Sequence, residues 1–122
     1  MKKILVIDDE AAIRVLLAKI LDREGFFVIT ASDGKEGMKL FNKEPADLVV
    51  TDLIMPEKEG VEIIIELRKE YPGVPVIAIS GGGRNSPESY LNMAKLLGAY
   101  AVLEKPVQKE TFLEEVRKAL KL

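Results

Sequence analysis

Three aspartates in this sequence stand where apolar runs end. Asp8 and Asp9 follow Ile4-Leu5-Val6-Ile7, and Asp52 follows Leu48-Val49-Val50-Thr51. A carboxylate at the end of a buried strand loses hydration and needs compensation. Three of them close together also repel, so the pattern implies a cation. Lys105 lies just beyond another apolar run, Ala101-Val102-Leu103, and is followed by a proline. Three carboxylates and one ammonium leave two negative charges, which one divalent metal would cancel. Ser80 closes a further run, Val76-Ile77-Ala78-Ile79. Carboxylates, a cation, a hydroxyl and an ammonium at strand ends suit phosphoryl chemistry at an aspartate.

What is missing narrows the chemistry. There are no histidines and no cysteines. That removes a histidine nucleophile, imidazole and thiolate metal ligands, Ser-His-Asp catalysis and disulfides, and fits a reducing, cytoplasmic setting. Any phosphohistidine must belong to another protein. With 122 residues the chain has the size of one domain, and residues 1–122 read as a single unit without repeats or an internal boundary. The net charge of −2, with both signs interspersed, gives no basic footprint for nucleic acid. The apolar runs are far too short for a membrane span, and Met1-Lys2-Lys3 leads into a strand rather than a signal peptide.

Strand and helix patterns alternate five times. Strands are expected at Lys3–Ile7, Phe27–Ala31, Leu48–Thr51, Val76–Ser80 and Ala101–Leu103. Three of them are nearly continuous apolar runs, which suits parallel strands covered on both faces. Between them, Ile13, Leu16, Leu17, Ile20 and Leu21 repeat at helical spacing, with Gly25 as a stop. Asp33-Gly34 precedes a helix turning Met38 and Phe41 inward. Gly60 opens a helix to about Tyr71 with a wide apolar face at Ile63-Ile64-Ile65. Ser86-Pro87-Glu88 starts a fourth, with Tyr90, Met93, Ala94 and Leu97 on one face and Gly98 as its stop. The last, about Gln108–Lys121, buries Phe112, Val116, Ala119 and Leu120. This order predicts an α/β (βα)5 unit with right-handed crossovers, whose ligands bind beyond the carboxyl ends of the strands. Asp8, Asp9, Asp52, Ser80 and Lys105 would then converge from four strands on one edge.

The segments ILVIDDE, VVTDLIMPEKEG, VIAISGG and LGAYAVLEKP resemble the receiver domain of two-component response regulators, along nearly the whole chain. The ordered set DD, D-x-x-M-P, S and KP is far more specific than any one of its parts. The resemblance implies a flavodoxin-like doubly wound sheet of order 2-1-3-4-5. It implies that Asp52 accepts a phosphoryl group from the phosphohistidine of a sensor histidine kinase or histidine phosphotransfer protein. Asp8, Asp9, the Asp52 carboxylate and the backbone carbonyl of Ile54 match the ligands of a Mg2+ ion. Lys105 and Ser80 match the residues that contact phosphoryl oxygens. The implied output is a changed surface on the fourth helix, fifth strand and fifth helix, acting on a partner or an output domain, with pairing of two copies there as a further implication. No direct contact with nucleic acid or membrane is implied.

Some positions depart from the family pattern. Val102 stands where many members carry Tyr or Phe, so the readout is expected in the loop after Ser80 and the fourth helix rather than in an aromatic switch. Val107 replaces the usual Phe after KP, Glu59 replaces an Asp, and extra length falls in the Gly81–Ser86 loop. Taken singly, the residues have plainer readings: Asp8-Asp9 as a helix cap, Ser80 as a turn hydroxyl, Lys105 as a surface lysine. An aspartate-based phosphatase would carry D-x-D after the first strand. A flavin-type binder would carry a phosphate-cradling loop where this chain has two acids. A phosphorylation-independent interaction module would not need an intact acidic set. Gly81-Gly82-Gly83 lacks the pattern of a nucleotide-binding loop.

Overall fold

A computed structural model describes residues 1–55, 59–81 and 87–122, with the side chains of 87–91 left aside. Five parallel strands form one sheet: β1 (Lys3–Ile7), β2 (Phe27–Ala31), β3 (Leu48–Asp52), β4 (Val76–Ser80) and β5 (Ala101–Glu104). They are connected by α1 (Ala11–Arg23), α2 (Gly34–Lys43), α3 (Gly60–Glu70), α4 (Pro87–Leu96) and α5 (Lys109–Ala119). The strand order is β2-β1-β3-β4-β5, the flavodoxin-like arrangement expected from the sequence. Its order reverses beside β1, so a crevice opens between the carboxyl ends of β1 and β3.

Side-chain alternation along the strands divides the core into two layers. Leu5, Ile7, Val49, Val76 and Ala78 pack with Met38, Phe41, Ile63, Ile64, Leu67 and Ala94, on the face covered by α2, α3 and α4. Ile4, Val6, Leu48, Val50, Ile77 and Ile79 pack with Leu17, Ile20, Leu21, Phe112 and Val116 of α1 and α5. The central strands β1, β3 and β4 are buried at every position, whereas β2 and β5 are partly exposed edges.

Local chemistry sets the helix ends. Asp33 caps α2 by accepting from the Glu36 N–H at 2.8 Å, and the Glu36 carboxylate accepts from the Ser32 N–H at 2.9 Å, a reciprocal capping arrangement. Gly25 and Gly98 follow α1 and α4 with φ of 89° and 107°, left-handed values at which a side chain would be strained.

The structure also departs from the expected pattern. β3 runs through Asp52 and β5 through Glu104, each one residue further than the apolar runs, because the parallel ladder continues past them. Leu16, Ile65 and Met93 are 48%, 48% and 44% exposed although they lie on or beside the apolar stripes of their helices. Each helix meets the sheet along a narrower band than its apolar residues span. The start of the fourth helix at Ser86, the extra length of the preceding loop and the Tyr90 side chain lie outside the described residues.

Gly60 ties α3 to the end of β3. Its N–H donates to the Leu53 carbonyl at 3.0 Å. A Cβ at this position would lie 2.1 Å from the Asp52 carbonyl oxygen and 2.8 Å from the Leu53 Cα, both backbone atoms. Gly60→Ala should therefore destabilise the fold by about 1–3 kcal/mol, as overpacking does. Urea denaturation checks this, and an unchanged midpoint would show that the α3 start has room to move.

Candidate functional site

The carboxyl edge of the sheet carries the chemistry. Asp8 follows β1 and is buried, its N–H donating to the Ala31 carbonyl at 3.1 Å. Its carbonyl accepts from Arg14 Nη1 at 2.7 Å, and its Oδ1 accepts from the Glu10 N–H at 2.9 Å. Asp52 closes β3 in register with Ile79 and is also buried. Lys105 comes from beyond β5, and its N–H donates to the Ser80 carbonyl at 2.9 Å, so the end of β4 fixes where the lysine departs. The Lys105–Pro106 peptide bond is cis.

The Lys105 ammonium gathers the acids. Its Nζ is 3.0 Å from Asp8 Oδ2, 3.1 Å from Glu10 Oε1 and 3.3 Å from Asp52 Oδ2. Asp9 is exposed, and lines the same open cavity of about 570 Å³ as Glu10, Ile13, Asp52, Ile54, Gly81, Lys105 and Pro106. Oxygens of Asp8, Asp9 and Glu10 lie within 4.8 Å of one another, a set of hard donors that could hold a metal ion. Ser80 is fully buried, and its Oγ has no hydrogen-bond partner among the described residues. A buried hydroxyl without a partner is unfavourable, and an acceptor arriving at this edge would relieve it.

Electrostatics set the charge states. Burial, and after it the neighbouring Asp8 charge, raise the Asp52 pKa, which stands at about 6. Lys105 and a hydrogen bond from the Ile54 backbone oppose the shift. Burial works against the Lys105 ammonium, but its close pairing with Asp8, the charge of Asp52 and the hydrogen bond to Glu10 outweigh it and hold its pKa above the usual lysine range.

The residues singled out in the sequence therefore assemble. Asp8, Asp52 and Lys105 meet directly, Asp9 and Ile54 line the cavity around them, and Ser80 lies at the adjoining strand end. Glu10 was missed. It follows the acidic pair directly, but its sequence signal is that of an ordinary helix-start acid, and only the fold reveals its contact with Lys105.

The family model of the response regulator receiver domain matches residues 4–117 of the chain. The chain belongs to this family. It is 36% identical over 117 residues to the transcriptional regulatory protein GlrR of Escherichia coli, covering 96% of this chain and 26% of that protein. It is 43% identical over 79 residues to the alkaline phosphatase synthesis transcriptional regulatory protein PhoP of Bacillus subtilis, covering 65% of this chain and 33% of that one. The receiver domain thus spans between a quarter and a third of the length of these curated relatives. Among solved structures, a response regulator receiver domain protein from Clostridium thermocellum superposes with a TM-score of 0.91 at 32% identity, covering 99% of this chain and 95% of that one. Receivers of this family are regulatory, and their acidic pocket typically uses Mg2+. Among the described residues, no helix of this receiver is long and apolar enough to cross a membrane.

The raised Asp52 pKa has a stability consequence. The folded state holds the Asp52 proton between about pH 4 and 6, where the unfolded chain has released it, so stability falls as pH rises through that window and stays lower above it. Asp52→Asn removes this effect. In a chelator the variant should be more stable than the wild type by up to about 3 kcal/mol at pH 8, with the gain vanishing near pH 4. Denaturation at the two pH values measures it, and a variant less stable at pH 8 would contradict the electrostatic reading.

Proposed function

We propose that this receiver is a phosphorylation-activated signalling switch and that Asp52 is its phosphoacceptor. The observation that carries the reading is the meeting of Asp52 with Asp8 and Lys105 at the sheet edge, beside a buried Ser80 hydroxyl with no partner among the described residues. The phosphoryl donor is a phosphohistidine on a sensor histidine kinase or histidine phosphotransfer protein; this chain has no histidine of its own to carry it. An Asp52 oxygen forms the new bond to phosphorus while the phosphorus–nitrogen bond breaks, its electron pair returning to the imidazole. With a pKa of about 6, Asp52 is mainly the carboxylate needed for attack at neutral pH.

The remaining residues serve the transferred group. Asp8, Asp9, the Asp52 carboxylate and the Ile54 carbonyl are the oxygen donors that would hold a magnesium ion, in keeping with the hard donor set. When bound, such an ion supplies neutralising charge at the transferring phosphoryl group. Lys105 offers its ammonium to one phosphoryl oxygen and Ser80 its hydroxyl to another. The modified state carries extra negative charge and new acceptor oxygens, so Lys105 and Ser80 gain contacts that favour a second conformation. That conformation alters the surface of α4, β5 and α5, where a partner, an output domain or a second copy docks. The domain itself makes no direct nucleic-acid contact, has no enzymatic role beyond gaining and losing its own phosphoryl group, and acts in the cytoplasm.

Two features bear on the readout. Val102 is partly buried against the α2–α4 layer, and Tyr100 before it is 48% exposed. A valine has no polar tip to bury or release, so the change is assigned to the segment after Ser80 and to α4.

A small-molecule phosphodonor with Mg2+ should give a phosphoryl adduct at Asp52 by mass spectrometry, absent without the metal and absent in Asp52→Asn. Full labelling of that variant would remove Asp52 from its role. Backbone amide signals of residues 81–97 should shift on phosphorylation, and in Ser80→Ala the adduct should form while those shifts shrink.

A further inference from the structure

The Lys105 Nζ lies 3.0 Å from Asp8 Oδ2, 3.1 Å from Glu10 Oε1 and 3.3 Å from Asp52 Oδ2. It donates hydrogen bonds to Glu10 and Asp52, while Asp8 Oδ2 is paired with it by charge alone. A lysine held by three carboxylates turns fully to a phosphoryl oxygen when one of them lets go. The three are not equally able to leave. The Asp8 and Asp52 side chains are 2% and 7% exposed, so a release would strand a buried charge, whereas Glu10 is 61% exposed and water takes it back at once.

Glu10 also lacks the ordinary role of an acid at its position. It is the N-cap residue of α1, yet its side chain makes no capping hydrogen bond. The carboxylate instead reaches a lysine 95 residues away in sequence. It also stands among the oxygens of Asp8 and Asp9, where it adds a negative charge beyond those one divalent ion and Lys105 would balance.

We propose that Glu10 is a positioning residue for phosphoryl uptake: it holds Lys105 while Asp52 is unmodified, releases it to the incoming phosphoryl oxygen, and restrains anion binding until then. The proposal rests on the reading of Asp52 as phosphoacceptor. Glu10 acts through Lys105 and through the charge of the pocket, without contacting the phosphorus. Its two effects oppose each other. A negative Glu10 favours a cation in the pocket and disfavours an anion, so its neutralisation should move the two affinities in opposite directions. General damage to the site would weaken both.

The test uses the intact chain with two probes, Mg2+ alone and beryllofluoride in saturating Mg2+, measured by calorimetry and fluorine NMR. Glu10→Gln should bind Mg2+ about three- to tenfold more weakly and beryllofluoride about three- to tenfold more tightly than the wild type, the range expected for losing one partly exposed ion pair. Glu10→Asp, which keeps the charge on a shorter arm, should retain the wild-type Mg2+ affinity. Unchanged affinities in Glu10→Gln, or a loss of both, would overturn the role of Glu10. A folded wild type that takes up no beryllofluoride in Mg2+ would overturn the phosphoacceptor reading itself, and this inference with it.

Discussion

Four carboxylates and one ammonium share the carboxyl edge of the sheet, and the rest of the molecule depends on how that crowding is resolved. Asp8 and Asp52 are buried, so neither can be screened by water, and Lys105 lies between them as their nearest compensation. The compensation is incomplete, which is why burial and Asp8 still hold the Asp52 proton more tightly than an ordinary aspartate would. A pocket left with excess negative charge, beside a Ser80 hydroxyl that has no partner among the described residues, is unsettled by itself. The surplus charge gives a cation a reason to enter, and the free hydroxyl and the Lys105 ammonium are what a phosphoryl oxygen would meet once that charge is balanced.

The scaffold makes that tension tolerable by putting it at the end of rigid elements. β1, β3 and β4 are buried at every position and paired in a continuous parallel ladder. Their ends therefore move little, and the groups on them keep their separations. The Lys105 N–H is bonded to the Ser80 carbonyl, so the lysine and the hydroxyl are mechanically joined. A force on either group at this edge is felt by the strand end that leads toward α4. Under the proposed phosphorylation of Asp52, this joint would carry a change at the site toward a surface made of other residues.

Membership of the receiver family fits this reading and sharpens it. The similarity to transcriptional regulators covers only about a quarter to a third of their length, so what is shared is the receiver domain rather than the whole regulator. Within that common frame the chain has its own features. Val102 offers no aromatic ring to rotate, and Glu10 adds a third acid next to the Asp8-Asp9 pair. Both concern how the site is coupled and restrained, not whether its chemistry can occur.

The sequence by itself determined the architecture. Near-continuous Val and Ile runs alternating with helical periodicity admit a covered parallel sheet, and the strand order followed from the resemblance carried by DD, D-x-x-M-P, S and KP. Asp8, Asp9, Asp52, Ser80 and Lys105 were legible for the same reason: a charged or polar group directly after a buried run stands out against its apolar neighbours. Tertiary structure alone decided what those groups do to one another. That Glu10 reaches Lys105, that Ser80 lacks a partner among the described residues, and that Leu16 and Met93 remain exposed are matters of contacts between distant segments. Local pattern shows which face a residue lies on. It does not show how wide a strip of that face another element covers, or which of several nearby acids a single ammonium will hold.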